Sequence, residues 1–174
     1  MISTSRKFIF CLSVVALLGA FASPARAQVC GTPRSTTLYA GQTMVAGTIN
    51  IYNDASNVYV QYSLQTPWVM SDAHVAIATS LAGIPQTKTG NPIPGRFPYS
   101  ATFDPEVTTY TFGIPAGSFL SGQSIVVAAH AVVHAPKSLG GSQTGWGFGP
   151  DFPGSNWATY LGYTVQACGG GSPE

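Results

Sequence analysis

From Ser124 to His134 the chain reads SIVVAAHAVVH, a stretch that is apolar on nearly every residue apart from Ser124 and two histidines. Such a run predicts a central β-strand covered on both faces rather than a half-exposed one. Upstream, Val58, Val60, Tyr62 and Leu64 alternate with Tyr59, Gln61, Ser63 and Gln65, the period-two pattern of a half-buried antiparallel strand. Residues 43–52 place Val45, Gly47, Ile49 and Ile51 on one face, and the turn formers of 53–57 (NDASN) join the two runs into a hairpin. A third strand is expected over Asp72–Ser80, with Ala73, Val75 and Ile77 facing opposite to His74, Ala76 and Ala78. Residues 82–98 carry Pro85, Pro92, Pro94 and Pro98, a density that forbids ladder pairing and predicts an ordered surface loop. Tyr99–Phe103 and Val107–Ile114 flank Asp104-Pro105-Glu106 and read as a second hairpin. After the Gly-rich residues 137–156, residues 157–167 make a last strand. No stretch of the mature chain shows a capped helical period. The expectation is an antiparallel β-sandwich of about seven strands, immunoglobulin-like or jelly-roll-like.

Arg6 and Lys7 precede an apolar run from Phe8 to Ala22, and Ala25-Arg26-Ala27 follows it as a small-x-small cleavage pattern. Residues 1–27 therefore read as a signal peptide, since the apolar run is short of the ~20 residues needed to span a bilayer. Residues 28–174 form one expected domain, with a flexible tail from Gly169. Removing the leader takes away Cys11 and leaves Cys30 and Cys168, a single pair expected to be disulfide-bonded in an oxidising compartment. The protein is accordingly expected outside the cytoplasm, secreted or periplasmic, with no integral membrane anchor.

Charged residues make up 7% of the 174-residue chain, against roughly 25% in ordinary soluble domains, and in 28–174 four basic side chains face six acidic ones. That balance excludes a nucleic-acid partner and charge-driven disorder. A surface so poor in charge suits persistent packing against neighbours, and self-association would run through an unpaired strand edge.

His74, His130 and His134 are the three histidines of the chain. His130 and His134 share a strand face but lie about 13 Å apart at ~3.3 Å per residue, too far for one ion. A metal site would instead pair His74 with His130 across strands and add Asp72, the basis of an alternative reading as a metal-dependent extracellular protein or hydrolase. Against it stands the reading of His74 and His130 as strand histidines hydrogen-bonded within the core. There is no G-x-S-x-G nucleophile elbow, and Asp54, Asp104 and Glu106 fall in expected turns. No cofactor is implied.

Trp146, Phe148, Phe152 and Trp157 are the more informative set, because they cluster in a Gly-rich segment. Exposed, such rings stack on sugar faces or dock another protein; folded back, they close one end of the core.

The segments AHVAIA (73–78), GNPIPGRFPY (90–99), AAHAVV (128–133) and GWGFGPDFPGSNWATYLGY (145–163) together resemble a module of secreted or surface-attached microbial proteins. The resemblance covers most of residues 68–163. It implies location rather than chemistry and carries over no catalytic residue. The expected function is thus a secreted, non-catalytic surface or matrix module that contacts a glycan or a surface protein through its loop aromatics.

Overall fold

In the computed structural model the described residues are 28–169. The expected signal peptide of 1–27 and the last five residues of the expected tail lie outside them. Nine strands follow one another: β1 (Cys30–Ala40), β2 (Met44–Asn53), β3 (Asn57–Leu64), β4 (Val69–Ala78), β5 (Tyr99–Val107), β6 (Thr109–Pro115), β7 (Ser124–His134), β8 (Ser142–Gly147) and β9 (Leu161–Thr164). All pair antiparallel in a single sheet of order β5-β4-β7-β8-β1-β2-β3-β6, with β9 on β7. The all-β antiparallel class is as the alternation predicts, and the two additional strands are β1 and β8.

The sheet curls until its halves face each other and is nearly closed, like a barrel. The halves β5-β4-β7-β8 and β1-β2-β3-β6 are joined by a ladder of three residue pairs, Leu38–Gly147, Tyr39–Trp146 and Ala40–Gly145. Between them lies the main core, which includes Leu38, Ile49, Val60, Tyr62, Met70, Val75 and Val127. Tyr62 on β3 shows the contact directly: its hydroxyl crosses the core and lies 3.1 Å from the carbonyl oxygens of both His74 on β4 and His130 on β7. The phenol of Tyr163 on β9 likewise donates to Asn53 Oδ1 on β2 at 2.7 Å. Buried polar groups are costly unless paired, so each of these bonds fixes the alignment of the two halves.

The hairpin expected across Asp104-Pro105-Glu106 is not formed. Those residues lie within β5, and β5 and β6 sit at opposite ends of the strand order although only Thr108 separates them. β5 pairs with β4, and β6 pairs with β3. The β2–β3 hairpin forms as predicted, with Asp54 Oδ1 accepting the Ser56 and Asn57 amides at 2.7 Å each in its turn.

β7 is covered on both faces, as its apolar run requires. Ile125, Val127, Ala129, Ala131 and Val133 enter the main core. On the outer face a second core gathers Ala128 with Ala76, Ile84, Phe97, Trp146, Phe152 and Ala158. Its lid is made by the proline-rich loop after β4 and the loop between β8 and β9. The two loops are clasped by Asn91, whose Oδ1 accepts the Asn156 amide at 3.0 Å.

Candidate functional site

Strand register places one row of side chains across the outer face of the sheet. Ser100 on β5 is opposite His74 on β4, His74 is opposite His130 on β7, His130 is opposite Trp146 on β8, and Trp146 is opposite Tyr39 on β1. Directly opposed residues in an antiparallel pair have their Cβ atoms within ~4.5–5.5 Å, so the five form a continuous line from one sheet edge to the middle of the molecule.

At the centre of the row the Nδ1 atoms of His74 and His130 are 3.4 Å apart, one ring donating to the other. The edge of Trp146 closes on His130, with ring centroids 4.8 Å apart. His130 is only 6% exposed. Burial, reinforced by neighbouring His74, pushes its pKa down to about 3, Asp72 opposing weakly. Burial lowers the His74 pKa as well, again against the pull of Asp72.

The expected metal set of His74, His130 and Asp72 is only partly assembled. The two histidines meet, but Asp72 accepts the Ser71 hydroxyl at 2.7 Å and the Thr102 hydroxyl at 3.0 Å. Among the described residues no group of three His, Cys, Asp or Glu side chains is spaced to hold a metal ion. The pair is a hydrogen-bonded element of the covered face.

A second polar cluster lies at the far end of β7. A bulge at Ser71, where Met70 pairs with Val133 and Asp72 with Val132, places Ser71 3.1 Å from His134 Nε2. The contact has the reach of a nucleophile and its base but not the arrangement. Ser71 directs its proton to Asp72, and the same Nε2 of His134 faces Glu106 at 3.5 Å. An acid–histidine–serine relay needs the acid on the opposite ring nitrogen. The hydroxyl therefore bridges Asp72 and His134 and lacks the arrangement of an activated nucleophile.

The four aromatic candidates divide. Trp146 and Phe152 are 5% and 2% exposed. They belong to the second core, so their rings are packed inside the lid rather than presented on an open surface. Trp157 is half-buried, and Phe148 is 58% exposed. These two line a cleft of about 170 Å³ together with Tyr39, Gln42, Asp151 and Thr159, with Trp146 at its base. Phe148 is held there by its backbone: its amide donates to Thr37 O, and its carbonyl accepts from Thr36 Oγ1, each at 2.8 Å. The Tyr39 ring meets it edge-on at 5.7 Å. The opposite wall is fixed by Thr159, which bridges to Asp151 and donates through Oγ1 to Gly147 O at 2.8 Å. Gly149 is required between the walls, since a Cβ there would run into the Tyr160 carbonyl oxygen. Tyr39 and Gln42 escaped the sequence reading because β1, whose first half has no alternation, does not read as a strand, and Gln42 lies in the turn that follows it.

Larger concavities lie beside the disulfide, lined by Asn53, Asp54, Phe119, Gln166 and Cys168 among others. The side chains of Asn53 and Asp54 in them are already committed: Asn53 bonds Asp54 O, Gln166 O, Tyr163 and the Gln166 amide, and Asp54 Oδ2 accepts Tyr59 at 2.7 Å. Size alone does not make them ligand sites.

Compared with known proteins, the chain matches no family model, no curated protein and no solved structure.

Cys30 and Cys168 are joined as a disulfide, with Cα atoms 4.5 Å apart. Among the described residues no helix is long and apolar enough to cross a membrane.

Proposed function

We propose that this protein is a secreted, non-catalytic binding module that takes a sugar ring of an extracellular glycan in the cleft between Tyr39, Phe148 and Trp157. The observation that carries the reading is the composition of that cleft: three accessible aromatic rings beside a free carboxylate (Asp151) and a side-chain amide (Gln42). Aromatic rings supply apolar surface for the faces of a pyranose, and a few polar groups fix its orientation. The volume is below the ~300–1,000 Å³ of drug-sized pockets and suits a single ring. The Cys30–Cys168 bond and the leader-like residues 1–27 support export. The test is calorimetric titration of polysaccharide-derived oligomers against wild type, Phe148→Ala and Trp157→Ala. Binding by wild type that is lost in both variants, with unchanged melting temperatures, supports the reading. Wild type that binds no oligomer overturns it.

Self-association has its own supporting observation. β6 (TYTFGIP) carries no charge, ends in its one proline and pairs on one side only, with β3. The other edge strand, β5, contains Asp104, Pro105 and Glu106, the residues that natural sheets use to discourage edge pairing. A Thr111→Lys variant that stays monomeric where wild type dimerises in sedimentation runs supports association through β6; wild type that is monomeric at all concentrations overturns it.

A further inference from the structure

We infer that the ring bound in this cleft is an amino sugar with a free, protonated amine, an inference that rests on the glycan reading above. Asp151 is the one charged side chain lining the cleft. It is exposed, and among the described residues its carboxylate has no hydrogen bond or ion pair within the protein. No lysine or arginine lines the cleft beside it. Apart from Gln42 and Thr159 the remaining wall is aromatic, and aromatic faces attract cations through their quadrupole. A carboxylate and several rings around a one-ring volume form a site whose charge complements an ammonium group. The same field repels uronic and sialic acids, because bringing a second carboxylate into a site without a cation is unfavourable. Neutral hexoses and N-acetylated rings keep the stacking and lose the charge contact.

The size of the preference follows from the exposure of Asp151. An ion pair in water contributes little, and partial desolvation against the rings together with the cation–π contact raises it, so a preference of about five- to tenfold for the free amine is expected. It should shrink as salt is raised, since the charge is only partly shielded from solvent.

The experiment is calorimetric titration at pH 6 of the chain without its leader against three tetrasaccharides, β-1,4-glucosamine, β-1,4-N-acetylglucosamine and a uronate oligomer, with tetramethylammonium as a cation that has no ring. The glucosamine oligomer is expected to bind five- to tenfold more tightly than its N-acetylated counterpart. Asp151→Asn should remove that preference, so that the two oligomers bind with equal affinity. Equal affinities for the two oligomers, tighter binding of the uronate, or a preference untouched by Asp151→Asn would overturn the amine assignment and leave the glycan reading standing. Tetramethylammonium binding as tightly as the glucosamine oligomer would overturn the assignment to a sugar. No binding of any oligosaccharide would overturn the glycan reading and this inference together.

Discussion

His74 and His130 face each other across the β4–β7 ladder with their Nδ1 atoms 3.4 Å apart, and the Tyr62 hydroxyl pins the carbonyls of both from the other side of the sheet. The groups around His130 are His74 and Asp72 on β4 and the Trp146 ring on β8. None of them makes a stable partner for a charged imidazole in a space already closed. Folded His130 therefore stays neutral down to pH about 3, whereas in the unfolded chain it takes up a proton near pH 6.5. Below pH 6.5 the unfolded state binds the extra proton, so stability falls as pH drops, by up to ~1.4 kcal/mol per unit and on the order of 4 kcal/mol by pH 3. Above pH 7 this contribution is flat. His74 acts in the same direction. Urea unfolding from pH 3 to 8 measures the slope, and a profile that does not steepen below pH 6.5 would show that His130 is open to solvent.

Trp146 and Phe148 are separated by one residue and should respond oppositely to truncation. Trp146→Ala empties the space between His130, Phe97 and Phe152 and is expected to cost about 3–5 kcal/mol. Phe148→Ala, on an exposed ring, should change stability by less than about 0.5 kcal/mol and abolish ligand binding. Chemical denaturation of both variants checks the contrast.

The Cys30–Cys168 bond closes a loop with a sequence separation of 138. Loss of such a bridge should lower stability by about 2–5 kcal/mol. Replacing both cysteines by serine measures it, and thiol titration of unfolded, unreduced residues 28–174 should find no free sulfhydryl.

Asn91 holds two loops that share no ladder. Asn91→Ala removes the acceptor of the Asn156 amide and is expected to cost about 1 kcal/mol. Its signature is local: amide exchange should speed up over residues 150–160 while the β2 and β3 amides keep their protection. Uniformly faster exchange would mean that the second core is part of one cooperative unit with the first.

How far the sequence reveals this fold depends on where each strand's partners lie. The β7 run is legible because both of its faces are dry, and the 53–57 turn because Asp54 carries its own hydrogen-bonding acceptor. β1 is hidden because Cys30–Ser35 is mostly exposed and is specified by pairing with β2, not by apolar alternation. β8 is hidden by Gly145 and Gly147, which read as loop residues but are small because Leu38 and the Tyr39 carbonyl press on one, and Ile49 and Leu161 on the other. Asp104-Pro105-Glu106 has turn composition, yet it belongs to an edge strand, where proline and acidic side chains face solvent without breaking a ladder. The histidine pair and the cleft depend on register, which places Tyr39, Trp146, His130 and His74 in one row from four distant segments. Residue types alone do not contain that alignment.

The single residue between β5 and β6 also bears on how the chain reaches this shape. Thr108 joins strands at opposite ends of the strand order, and its carbonyl accepts the Leu64 amide. Strands adjacent in sequence thus stand at the two ends of the strand order, linked through all the strands between them. β5 docks on β4 and β6 on β3, so bringing these two strands to the seam requires contacts of high sequence separation. A protein of this design trades folding speed for a sheet whose two ends are tethered by one residue.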